Sequence, residues 1–238
     1  MTDHWWAGYN GSDESFRVVS EHLPSLKVRR EGETTLLSDP CLDLGSKDTR
    51  RVDLAKFTDL ANAVLLLSNS NADPIRQHGP VFLEDENGCR HYVLLPETGV
   101  FSLVFYPVTL SARGVTGARE PRALGARVAE FFARSDHFAK ASAFLTNAGN
   151  DLREIYKAME AIERGHGGWP KKADRERRAA FCAALMVEED EWEALHRTAR
   201  PARHAYPHNM VGHTFTANQV RAAVQHALKV WLEREVPL

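Results

Sequence analysis

Only three cysteines, Cys41, Cys89 and Cys182, occur in 238 residues, an odd number and far apart along the chain. That excludes a disulfide framework and fits a reducing compartment, with each thiol read as a small core or surface residue. Long apolar runs are missing too. Ala63-Val64-Leu65-Leu66-Leu67 is among the longest, far short of the roughly 20 residues a membrane span needs. Met1-Thr2-Asp3-His4-Trp5-Trp6 lacks a basic and an apolar leader segment, so the expectation is a cytoplasmic protein with no membrane partner. Nor is there an excess of one charge. A formal net charge of −2 excludes a protein that coats nucleic acid by bulk charge, but leaves room for a local basic patch. No repeat, low-complexity tract or Gly-x-Ser-x-Gly elbow is present. The glycine-rich Gly165-His166-Gly167-Gly168-Trp169-Pro170 lacks the Gly-Lys-Ser/Thr ending of a phosphate loop, so it reads as a connection between helices.

What is there suffices for a globular core: 43% hydrophobic and 26% charged residues. The pattern along the chain predicts an α+β protein in two parts, an α+β domain over 1–115 and a helical bundle over 120–238. In the first part, Val81-Phe82-Leu83-Glu84 and His91-Tyr92-Val93-Leu94-Leu95 flank Asp85-Glu86-Asn87-Gly88, and an Asn-Gly step between apolar runs signals a hairpin. Residues 100–110 extend this as a third strand, with Pro107 marking an edge or bulge. Leu54, Phe57, Leu60, Ala61, Val64 and Leu65 recur at helical spacing, which predicts one helix packed on a small antiparallel sheet. Trp5 and Trp6 are read as an anchor of the N-terminus on this domain, with recognition of a protein partner as the other reading.

Residues 111–120, with two glycines and no periodicity, read as a linker. Beyond it every stripe is helical, which predicts four or five helices in a bundle. Leu124, Val128, Phe131 and Phe132 mark one; Leu152, Ile155, Tyr156, Met159 and Ile162 mark another, opened by Asn150/Asp151 and closed by Gly165. Residues 172–186 and 188–202 form two more, the latter around Trp192 and Leu195. Thr216-Ala217-Asn218-Gln219 matches a capping box that opens the last helix, with Val220, Val224, Ala227, Leu228 and Trp231 on one face.

Chemistry concentrates near the C-terminus. Residues 194–232 contain no carboxylate, yet hold Arg197, Arg200, Arg203, Arg221 and Lys229 with His196, His204, His208, His213 and His226. Such a segment attracts a polyanion even in a neutral protein, unless its arginines are solvated or pair with Glu188-Glu189-Asp190-Glu191. Within it lies Arg203-His204-Ala205-Tyr206-Pro207-His208. An imidazole near neutrality takes a 2′-hydroxyl proton or returns one to a leaving oxygen, and a guanidinium holds the charge on the phosphate, with no metal required. Arg203 and His208 are thus the candidate catalytic pair, His204 supports them, and Arg197, Arg200 and Tyr206 are candidate RNA contacts, the ring by stacking on a base. Pro201 and Pro207 flank Arg203, which places His208 in the loop after the helix. Two other readings remain open. His204, His208 and His213 could supply three zinc ligands with Cys182 or water as fourth, or Arg203 and His204 are structural and the bundle is a non-enzymatic docking module of a larger complex.

The Arg-polar-x3-His spacing before a capped last helix, together with the amphipathic helix over 151–163, resembles the HEPN superfamily. The resemblance covers about 120–236. It implies a small helical bundle, metal-independent ribonuclease activity or RNA binding, a homodimeric composite site, and a context of toxins or anti-phage defence. It implies no cofactor. In that family Arg and His ride on one helix, from which the prolines here depart.

Overall fold

The computed structural model describes residues 4–39, 42, 50–68, 72–85, 87–93, 124–171, 174–203 and 215–237. It is an α+β protein whose described residues fall into two compact units, one ending within Met1–Pro107 and one running from Arg127. The expected third strand over 100–110 and the linker over 111–120 lie outside the described residues.

The first unit runs β1 (His4–Asn10), α1 (Asp13–His22), β2 (Lys27–Glu31), β3 (Thr34–Ser38), α2 (Arg50–Leu67), β4 (Arg76–Glu84), β5 (Arg90–Val93). The five strands are ordered β2-β3-β1-β4-β5 and every neighbouring pair is antiparallel. Strands β1 and β2 therefore run parallel to each other with β3 between them, and β3 and β4 likewise enclose β1. These are two interlocked split β-α-β units closed by a hairpin. Its turn is the expected one: Gly88 has a positive φ of 79°, and Asp85 accepts from the Asn87 and Cys89 amides at 2.9 Å each. Among its described residues this unit has two helices rather than one. Ser12 caps α1 by accepting from the Ser15 amide at 3.1 Å, a signal as plain as any in the chain.

Both helices cover one sheet face. Tyr9 is fully buried, meets Phe57 of α2 edge-on at 6.0 Å, and its hydroxyl lies 3.3 Å from the Thr58 hydroxyl. Asn62 of α2 closes a reciprocal pair with Ile75, donating to its carbonyl at 3.0 Å and accepting from its amide at 2.8 Å. Both atoms of a buried amide are thereby satisfied. Asp59 fares worse: burial alone pushes its carboxyl up to about 6. A folded-state pKa above the unfolded value means that ionisation favours unfolding. The cost is absent below about pH 4, grows towards pH 6 and is complete above it. Asp59→Asn is expected to raise stability at pH 7 by about 1 kcal/mol, the full shift discounted for partial exposure, and to do nothing at pH 4. Urea midpoints at both pH values check this; an unmoved midpoint at pH 7 would refute it.

The second unit holds α3 (Leu124–Arg134) from Arg127 onward, its first turn grouping with the first unit, and then α4 (Asp136–Ala148), α5 (Leu152–Gly165), α6 (Arg175–Leu185), α7 (Glu189–Arg203) and α8 (Ala217–Glu235). Among the described residues that is six helices, one above the expected range. The addition is α4, set off from α3 by Ser135 alone, whose hydroxyl accepts from the Phe138 amide at 3.2 Å. Helix α5 is central, packing on α4, α7 and α8. Its Ile155, Met159 and Ile162 are fully buried, as the stripe predicts. Phe131, Phe138 and Trp231 form an aromatic knot with centroids 4.5–5.8 Å apart. The capping box of α8 is present, with Thr216 and Gln219 satisfying each other's backbone amides.

Candidate functional site

Helix α7 positions the described part of the candidate site. Its first turn carries Glu189, Asp190 and Glu191, where the helix dipole favours negative charge, and its arginines gather towards the other end. Trp192, Leu195 and Ala199 are buried along one side, while Arg197 and Arg200 are exposed. The acidic run does not neutralise these two arginines. Arg178 of α6, itself buried, takes Glu189 at 2.8 Å and also pairs with Glu193, donates to the Pro170 carbonyl at 3.2 Å, and lies 4.7 Å over the Trp169 ring. Among the described residues Arg197 and Arg200 make no ion pair. Their guanidinium groups face solvent.

The helix is pinned by a buried carboxylate. Glu163, at the end of α5, accepts through one oxygen from Trp192 Nε1 at 3.0 Å and pairs through the same oxygen with His196 Nε2. A carboxylate oxygen can only accept, so an ionised Glu163 takes the hydrogen that His196 carries on Nε2. The His196 ring is boxed by Tyr156 edge-on at 5.5 Å, Trp169 stacked at 6.1 Å and Trp192 at 6.2 Å. Arg200 follows His196 by one helical turn and Arg203 by two, so the three positions share a stripe of the helix. Nearby, burial lowers the pKa of His166, which packs 4.8 Å from Trp231, and raises that of the Cys182 thiol.

Arg203 is the last residue of α7, and Pro201 lies within that helix rather than ending it. His204, Tyr206, His208 and His213 lie outside the described residues, so the Arg203/His208 pair, its support from His204, the stacking role of Tyr206 and the zinc reading all rest there. Among the described residues no three His, Cys, Asp or Glu side chains gather as a metal site, and no helix is long and apolar enough to cross a membrane. Sequence reasoning counted His196 within the basic segment but missed its partner. Glu163 lies four residues after Met159 and seven after Tyr156, on the buried stripe of α5, and a carboxylate in that register was the available signal. Compared with protein-family models, with curated proteins and with solved structures, the chain matches none.

Proposed function

We propose that this protein binds RNA and cleaves it without a metal ion, through the end of α7 and the residues that follow it. The observation that carries this reading is the polarity of α7: Arg178 engages two of its carboxylates, Glu189 and Glu193, whereas Arg197 and Arg200 are exposed and lead directly into Arg203-His204-Ala205-Tyr206-Pro207-His208. Exposed guanidinium groups unopposed by carboxylates bind phosphates, and α7 itself is held rigid by Glu163. In the proposed reaction, His208 takes the proton of a ribose 2′-hydroxyl. The alkoxide attacks the adjacent phosphorus, Arg203 stabilises the added negative charge, and the 5′-oxygen leaves with a proton returned by an imidazole, His204 or His208. The products are a 2′,3′-cyclic phosphate and a 5′-hydroxyl. The HEPN resemblance supports a homodimeric arrangement and a role in toxin or anti-phage defence systems.

The test is incubation of the purified chain and of His208→Ala with total RNA in EDTA. Cleavage that resists EDTA and disappears in the variant supports the enzyme; intact RNA with both proteins favours the non-enzymatic docking module. Binding adds a second check. Arg197→Ala/Arg200→Ala is expected to flatten the dependence of log affinity on log salt by about 1.4 for a single strand, two phosphate contacts at about 0.7 each. A slope equal to that of the unaltered chain removes these arginines from the interface.

A further inference from the structure

The sheet face opposite α1 and α2 carries a row of aromatic side chains across three adjacent strands. Trp6 of β1 pairs with Phe82 of β4, and Phe82 pairs with Tyr92 of β5. Residues directly opposite in antiparallel strands point to the same face, so the three rings stand side by side. Trp6 and Phe82 are buried, whereas Tyr92 is 63% exposed and its ring lies 5.3 Å from that of Phe82. Over the buried rings sit two guanidinium groups, Arg29 at 4.3 Å from the Trp6 centroid and Arg90 at 4.8 Å from the Phe82 centroid. Carboxylates hold both in place. Glu84 accepts from Arg29 at 2.9 and 3.1 Å, and Glu31 accepts from Arg90 at 2.6 and 2.9 Å.

Three features define what would bind here. The exposed ring and the fixed guanidinium groups are flat surfaces of the kind on which unpaired bases stack. The charges nearly cancel, Lys27, Arg29 and Arg90 against Glu31 and Glu84, so the face does not draw a ligand by charge alone. Two of its donors are left over. Trp6 Nε1 and Arg29 Nη2 are buried donors with no hydrogen-bond partner, and the Trp6 side chain is 94% buried, since 6% remains exposed. A ligand suited to this face presents flat π surfaces and acceptor oxygens together, and a nucleobase with its carbonyl and phosphate oxygens does both. We propose that this face is a stacking platform for single-stranded RNA, with Tyr92 as the outermost contact and Arg90 and Arg29 beneath successive bases. The proposal is independent of whether the C-terminal unit cleaves. A duplex is excluded, because its bases are already stacked on one another.

The full-length chain would be titrated into fluorescein-labelled 12-nucleotide oligouridine, its deoxy counterpart and a blunt RNA duplex, followed by anisotropy in EDTA with His208→Ala as background to prevent cleavage. The single-stranded RNA is expected to bind more tightly than the duplex. Tyr92→Ala should weaken it about 5- to 150-fold, the range for losing one base–aromatic stack, while Tyr92→Phe, which keeps the ring, stays within about twofold. Because Tyr92 is exposed, both variants should keep the circular dichroism of the parent. Equal affinity for Tyr92→Ala, preference for the duplex, or no binding of the RNA strand overturns the platform; tighter binding of the deoxy strand than of RNA overturns its assignment to RNA. Binding that depends on Tyr92 in a chain that never cuts RNA supports the platform and sinks only the nuclease.

Discussion

Alanine at His208 is expected to lower EDTA-resistant RNA cleavage about 100- to 10,000-fold, the usual contribution of a positioned proton-transfer group. The expectation follows from the chemistry of the bond. A 2′-hydroxyl is a poor nucleophile until its proton has somewhere to go, and at neutral pH imidazole is the side chain best able to accept it and give it back. Arg203→Ala is expected to cost about 100- to 1,000-fold, because a guanidinium stabilises charge that exists only as the phosphorane-like state forms. The double variant should lose little more than the worse single one, since the two groups act on one event. Arg203→Lys should restore only part of the loss, as an ammonium keeps the charge but not the planar fork. Rates are compared at saturating RNA, so that weakened binding through Arg197 or Arg200 is not mistaken for lost chemistry. A His208→Ala protein that cleaves at the unaltered rate would dismiss this imidazole from the reaction.

How much of this was legible in the residues depends on how far each element obeys one periodicity. The hairpin at Asn87-Gly88 and the last helix after Thr216 could be read because their signals are local: a positive φ that glycine tolerates, and a capping box. Strand β1 was not readable in the same way. Trp6, Ala7, Gly8 and Tyr9 are buried in succession, because the Arg29 guanidinium lies over Trp6 on the face away from the helices, and the alternation that betrays a half-exposed strand is lost. Strand β2, Lys27-Val28-Arg29-Arg30-Glu31, looks like a charged loop, and its charges find their reasons only in the fold, where Arg29 meets Glu84, Glu31 meets Arg90 and Arg30 meets Asp13. The stacking face went unseen with these strands, since its row exists only once the pairing register is known. In the bundle, α4 was hidden by its small residues, whose Ala139, Ala141 and Ser142 are buried without forming a bold stripe. Arg197 and Arg200 were visible as a run free of carboxylates; that Arg178 of α6 takes Glu189 and Glu193 was not, because ion pairs across helices leave no spacing in the chain.

Trp192→Ala is expected to be the most damaging single change to the fold, at about 3–5 kcal/mol, the range for removing a large aromatic side chain from a well-packed interior. The indole is fully buried, 5.7 Å from the Phe181 ring, and donates to Glu163 at 3.0 Å. Truncation therefore opens a cavity between α5, α6 and α7 and takes from a buried carboxylate one of its two partners, leaving His196 to hold it alone. Trp192→Phe separates the two effects. It keeps most of the packing but removes the donor, so its cost should fall to about 1–3 kcal/mol, the penalty for depriving a buried polar group of its partner. Adding Glu163→Gln to Trp192→Phe should give back part of that loss, because a neutral amide is cheaper to leave short of a hydrogen bond than a carboxylate. Urea denaturation followed by far-ultraviolet circular dichroism reads the cooperative loss of the helices, and the two units are expected to contribute separate transitions. If Trp192→Ala shifts the helical transition by less than about 1 kcal/mol, then Glu163 and the indole are not what fixes α7. The arginines at its far end would then have no rigid platform from which to address a phosphate.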